Sequence, residues 1–238
     1  MTKKNLIKLS LVASFIFIMI MAGCIPEDSL QWNTDGSKGI YSKKGALFLV
    51  DGSTGSLTKI ADKETTALWP AISPDGSQIA YSQIVKVDDF DKAFDSLLAA
   101  QAKQIQEHAE ILKQKIMSEG IKDANLSALE AFSNEQHTAW VDRLLVEKAD
   151  SQLAQRIGLE LINKTKAREL HLYQLILAPT ADPNSKKIVM SSSRQLWRQK
   201  FSPDSKILAW LIDNVKGKTF EAGFDLYIAN LVQNTSPA

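Results

Sequence analysis

The sequence predicts a mainly β chain, built from repeated antiparallel four-stranded sheets and interrupted by an inserted α-helical hairpin. Three observations carry that prediction. A turn-and-strand pattern returns three times, the first two copies lie forty residues apart, and a long stretch of helical periodicity sits between the second and third. Self-similarity at a period near forty marks repeat architectures in which each unit buries its apolar faces only against its neighbours.

The first twenty-three residues stand apart from this pattern. Lys3, Lys4 and Lys8 form a basic head, and a run from Leu11 to Met21 is apolar except for Ser14. That run is shorter than the ~20 residues needed to cross a bilayer, so it reads as the apolar part of an export signal. It ends in Met21-Ala22-Gly23-Cys24, which resembles the lipobox of bacterial lipoproteins. The resemblance implies cleavage between Gly23 and Cys24 and lipidation of Cys24. Several acyl chains on one cysteine hold a protein stably at a membrane. Cys24 is the sole cysteine, so no disulfide can form within the chain. The expected location is the cell envelope. Ile25 at the next position points to the periplasmic face of the outer membrane in a Gram-negative source, and a Gram-positive source would place it on the outer face of the plasma membrane.

The formal charge is +1; loss of the leader removes three of the 28 basic residues and leaves 25 against 27 acidic ones, near −2. No basic patch suits a nucleic acid, and export argues against such a partner. About 215 residues then remain, in a lipidated tether (24–30), a β segment (31–88), a helical insertion (89–166) and a second β segment (167–238).

The repeats follow the tether. Trp32-Asn33-Thr34-Asp35-Gly36-Ser37 through Ser42 is echoed by Ile72-Ser73-Pro74-Asp75-Gly76-Ser77 through Ser82, and again by Phe201-Ser202-Pro203-Asp204-Ser205 through Trp210. Asp35 and Asp75 are 40 apart and Asp75 and Asp204 are 129 apart, so the second gap holds one step and an insertion. Pro74 and Pro203 preset a tight turn, Asp35, Asp75 and Asp204 accept bonds within it, and Gly36 and Gly76 relieve its exit. The first copy lacks the proline, and the third carries Ser205 in place of glycine. These repeats resemble the WD40-like repeats of TolB-like β-propellers and those of prolyl-oligopeptidase-type enzymes. The resemblance implies incomplete propeller blades.

The first blade is expected at Leu30–Asn33, Gly39–Ser42, Ala46–Asp51 and Leu57–Ala61, with Asp51 to Gly55 as a hairpin turn. The second runs through Ala67–Ile72 and Gln78–Val85, then resumes at Glu169–Ala178 and Lys187–Ser192. The third holds Trp197–Ser202, Ile207–Ile212 and Asp225–Leu231, and a fourth strand would need residues past Ala238. An unclosed set leaves free strand edges, through which the chain would associate if it is a fragment of a longer protein or pairs with another chain. Trp32, Trp69, Trp197 and Trp210 are expected in the core.

Between the strands of the second blade, Phe90 through Ile116 carry apolar residues at steps of three and four. Asp88 or Asp89 suits the helix start and Gly120 its end. A short helix is expected around Leu126–Phe132, opened by Ser127 and Glu130, and a long one from Ser133, opened with Gln136, to Leu161. Two helices of nearly thirty residues would each be about 45 Å long and would project from the blades or lie across them. Trp140 is either packed inside this hairpin or an anchor for a protein partner.

Catalytic chemistry finds no candidate. No Gly-x-Ser-x-Gly elbow occurs, and Gly52 to Gly55 has the wrong spacing. His108, His137 and His171 are too far apart to share a metal, and each repeated turn offers one acid where calcium needs six or more oxygens. No cofactor motif is present. The expected function is a non-enzymatic protein-interaction scaffold at the envelope. The alternatives are the propeller portion of an exported serine peptidase and a ligand-sensing propeller.

Overall fold

A computed structural model of the protein describes residues 28–62, 64, 66–118, 138–164, 169–215 and 222–232. Gly23, Cys24, His137, Gly120, the helix expected around Leu126–Phe132 and both capping boxes lie outside the described residues.

Eleven described strands form three antiparallel sheets. The first is a meander of β1 (Asp28–Trp32), β2 (Lys38–Lys43), β3 (Ala46–Asp51) and β4 (Leu57–Ala61), in that spatial order. The second joins β5 (Leu68–Ile72), β6 (Gln78–Lys86), β7 (His171–Pro179) and β8 (Lys187–Ser192). The third has β9 (Leu196–Phe201), β10 (Ile207–Val215) and β11 (Ala222–Asn230). These are incomplete propeller blades, and the set is unclosed. Strand ends move by up to three residues from the sequence expectation, but no strand changes its place.

Alternation within each strand produces two apolar layers. Ile40 and Leu47 of the first sheet meet Ile72, Ile79, Tyr81 and Ile176 of the second. The opposite face of the second sheet, with Ala80, Leu175 and Met190, covers Leu208, Trp210 and Ile212 of the third. Successive side chains point to opposite faces, so a single strand can serve both layers.

The insertion differs from expectation: where two long helices were expected, the described residues form four shorter ones. They are α1 (Phe90–Asp95), α2 (Ala99–Ser118), α3 (Thr138–Lys148) and α4 (Gln152–Lys164). Asp89 caps α1 by accepting from the Lys92 amide at 3.1 Å, as its sequence position suggests. The first break follows from tertiary contacts. The Ser96 hydroxyl donates to Ala93 O at 2.7 Å, closing α1, and Leu97 leaves the helix to bridge Ser191 of β8. Gln101 then donates to the Ser192 hydroxyl at 3.0 Å and accepts from the Ser193 amide at 3.1 Å, fixing α2 to the sheet. At the second break the carbonyl of Ser151 starts α4, and Gln155 donates to Ala149 O at 2.7 Å. Lys113 of α2 reaches Asp150 in that turn at 3.2 Å. A 20-residue α2 spans about 30 Å rather than 45 Å.

The helices share a core of their own. Phe94, Ile105, Leu112 and Ile116 pack with Trp140, Leu145, Ile157 and Leu161, and the base of that core is Leu170 and Leu172, where the chain re-enters the sheet. Gly158 permits the close approach of α3 and α4, since a Cβ there would lie 3.1 Å from the carbonyl oxygen of Asp142.

Candidate functional site

The predicted turn residues come together as three near-copies of one hydrogen-bonded unit. Asn33, Ser73 and Ser202 occupy the same position. Each receives the amide of residue 38, 78 or 207 on its side chain, at 3.0, 2.9 and 3.0 Å. Each side chain also donates to the following aspartate, at 2.8, 2.6 and 2.6 Å. The aspartates are therefore acceptors at the centre of the turn. The Ser73 hydroxyl above all, with the Ser77 amide, draws the Asp75 carboxyl down to about 2. Asp35 is lowered chiefly by Ser37, and Asp204 chiefly by Ser202.

The units also lock to one another. Thr34 donates its amide to Pro74 O at 3.0 Å, and Asp75 donates its amide to the Ser205 hydroxyl at 3.2 Å. Gly36, Gly76 and Ser205 all adopt positive φ, at 72°, 70° and 59°. The third copy thus keeps the left-handed geometry without a glycine. Pro74 and Pro203 sit just before their aspartates, as the turn requires.

A second constellation escaped the sequence reading. The first strands of the three sheets adjoin: Gln31 of β1 donates to Pro70 O of β5 at 2.9 Å, and Trp69 of β5 lies 5.3 Å from Trp197 of β9. A cleft of about 340 Å³ opens there, lined by Gln31, Ser42, Leu68, Trp69, Arg198 and Gln199 among others. Trp69 has φ 52° and Arg198 has φ 53°, and the two are 129 residues apart, so they are the same repeat position. Each sits where the pairing register of its strand shifts. Positive φ on a bulky residue is strained, and the same strained bulge recurs in the second and third blades, whereas the first, with Ser29 at this position, pairs without a shift. Pro70 is accommodated because β5 is the edge strand of its sheet and the residue lies in the bulge.

Gln199 is buried, 4% exposed, and its side-chain oxygen and nitrogen lack hydrogen-bond partners among the described residues, as does the buried Trp69 Nε1. Arg198 and Lys200 are exposed beside them. The lining is suited to holding a polar or acidic group against an aromatic surface. Among the described residues no three His, Cys, Asp or Glu side chains are grouped to hold a metal.

Trp140 is corrected as a direct partner contact. It is 2% exposed, with Phe90 at 5.9 Å and Phe94 at 6.5 Å, so the indole is the centre of the helical core. Trp32 is corrected in the other direction: expected in the core, it is 46% exposed. Trp210 is 1% exposed, and Trp69 and Trp197 are half-buried. Asp142 drew no attention in sequence, yet it is 1% exposed with neither carboxylate oxygen bonded among the described residues. Burial pushes its carboxyl up to about 7.

No family model matches the chain, and no curated protein matches it. Among solved structures it is similar to the tricorn protease, at 10% identity and a TM-score of 0.41, over 85% of this chain and 13% of that one. It is similar to putative TolB from Agrobacterium tumefaciens at 12% identity and a TM-score of 0.39, over 87% of this chain and 43% of that one. Similarity to acylaminoacyl peptidase, in complex with Z-Gly-Gly-Phe-chloromethyl ketone, has 12% identity and a TM-score of 0.35, over 88% and 22%. The chain spans less than half the length of each of these proteins. With these TM-scores below 0.5, the blade architecture rests on the chain's own strand pairing and its three matched turns.

Proposed function

We propose that this chain is a non-enzymatic cell-envelope lipoprotein, held at a membrane through lipid on Cys24, whose TolB-like blades and helical arm form a scaffold for protein partners. The observation that carries the reading is the arm. Four described helices emerge between β6 and β7, close a core of their own, and still expose Ile111, Met117 and Leu159 by about half. Such an element adds a rigid second surface to the blade stack. No described helix is long and apolar enough to cross a membrane; the attachment proposed at Cys24 rests on the lipobox-like Met21-Ala22-Gly23-Cys24.

Two measurements test this. Metabolic labelling with an alkyne palmitate analogue is expected to mark the wild-type chain and to fail in Cys24→Ala. Cross-linking in intact envelopes is expected to yield defined adducts that weaken in an Ile111→Glu, Met117→Glu variant. If adducts are unchanged by that variant and by deletion of residues 89–166, the arm is not the binding element.

The inner-strand cleft favours a second reading, a sensor of a small polar or acidic ligand, because Gln199 and Trp69 leave buried polar atoms for it. Ligand-induced quenching of tryptophan fluorescence, lost in Gln199→Leu, would support the sensor over the scaffold. The serine-peptidase reading places the nucleophile in a catalytic domain outside this sequence, in which no Gly-x-Ser-x-Gly elbow occurs. Fluorophosphonate labelling, in native envelopes, of a longer product that carries these blades would replace the scaffold reading with that one.

A further inference from the structure

The two outermost sheet faces of the stack are apolar and uncovered, and the repeat identifies what each is built to meet. Residues 40 or 129 apart occupy the same place in successive blades. In the third strand of each blade, cross-strand register makes Leu47, Leu175 and Leu226 equivalent, opposite Ser42, Ser82 and Leu211. Leu47 and Leu175 are 0% exposed because the next sheet lies over them. Leu226 is 61% exposed, with Phe224 and Ile228 exposed beside it on the same face.

The other end of the stack shows the reciprocal pattern. Trp32, Ile72 and Phe201 are equivalent at the end of each first strand. Ile72 is 8% exposed under the first sheet, and Phe201 packs in the layer between the second and third. None of the described sheets lies over Trp32, which is 46% exposed and lies over Gly39, whose absent Cβ leaves room for the ring. Leu30 is 50% exposed on the same face. One free face is therefore the kind that meets a following blade, and the other the kind that meets a preceding blade.

We infer that a second copy of this chain covers both faces, head to tail, so that two sets of three blades close into a six-bladed ring. The chain itself carries the two complementary surfaces, and six falls within the four to eight blades over which propellers close. Size supports closure over a single contact. A face of three or four strands, with five or six residues each, covers roughly 300 Å² from strand rise and spacing. One contact then buries roughly 600 Å², the scale of a crystal contact, whereas ring closure makes two and reaches the lower end of specific interfaces at roughly 1,200 Å². Head-to-tail contacts form rings when the rotation closes and filaments when it does not. This inference is independent of the scaffold reading, and it places the inner-strand cleft on the wall of a shared central channel.

The test is the mass of the full chain in mild detergent, by sedimentation equilibrium. Two chains per particle are expected. Trp32→Glu and Leu226→Glu should each weaken association roughly a hundredfold, as loss of a central apolar contact does. An equimolar mixture of the two should associate more strongly than either alone, because one intact interface is restored. Both side chains are half-exposed or more, and melting temperatures near the wild-type value confirm folding. Should either variant melt early, Leu30→Glu and Ile228→Glu serve the same purpose. A wild-type monomer, open filaments, or sensitivity to only one of the two faces would overturn the ring.

Discussion

The backbone amide of Asp75 donates to the hydroxyl of Ser205, 130 residues away, at 3.2 Å. Ser205 holds φ at 59° to do so, in the position that glycine fills in the two earlier turns. The hydroxyl and the strain act in opposite directions. Ser205→Ala keeps the left-handed backbone and loses the bond, so a loss of about 1 kcal/mol is expected. Ser205→Gly loses the bond but relieves about 1 kcal/mol of left-handed strain, so it should be close to neutral. Urea midpoints of the two variants check the ordering, and an alanine variant as stable as the glycine variant would refute it.

Gly76 and Gly36 have the same positive φ but different surroundings. A Cβ on Gly76 would lie 2.5 Å from Asn33 Nδ2, whereas nothing is within 4 Å of one on Gly36. The Asn33 amide cannot yield freely, because it donates to Asp35 and Ser37 and accepts from Lys38. Gly36→Ala should cost about 1 kcal/mol from backbone strain alone. Gly76→Ala should cost about 2–3 kcal/mol. Equal unfolding free energies for the two would mean that the first and second turns are not in contact.

Asp142 sets a pH dependence for the helical arm. Its folded carboxyl is raised to about 7 by burial, well above the usual carboxylate range, so the folded state holds the proton longer than the unfolded state. The stabilisation is complete below about pH 4 and is lost as pH rises through about 7. Between pH 5 and pH 8 the arm should lose about 2–3 kcal/mol, at 1.36 kcal/mol per pH unit. Asp142→Asn should flatten that slope, as read from amide exchange in α3 and α4. Asp75 works in the opposite sense: its lowered carboxyl stabilises above about pH 4, and that contribution is lost as pH falls towards about 2. A slope unchanged in Asp142→Asn would exclude Asp142 as its source.

Trp140 joins α1 to α3 through Phe90 and Phe94. Trp140→Ala should cost the arm about 3–5 kcal/mol, the usual penalty for emptying an aromatic core site. The loss should appear as faster amide exchange in α1, α2 and α3, with β2 and β3 unchanged, since the first sheet does not touch that core. Retained protection in α1 would contradict the packing.

Much of the fold was legible in the sequence because strand and turn signals act over a few residues. Alternation placed each strand, and Asp35, Asp75 and Asp204 announced turns whose internal bonds span at most five positions. The break after Asp95 was not legible. Leu97 and Leu98 continue the helical spacing, and only Ser191, nearly a hundred residues away, gives Leu97 a reason to leave the helix. The inner-strand cleft was hidden for the same reason: Trp69, Arg198 and Gln199 meet only once separate blades are side by side.

What the chain determined on its own was the repeat, its turns and the place of the insertion, because each follows from local backbone preference and the period of apolar residues. Tertiary structure alone decided which tryptophans are covered. Trp32 and Trp210 read alike as sequence, but burial depends on whether another sheet lies over the face, and for Trp32 none of the described sheets does.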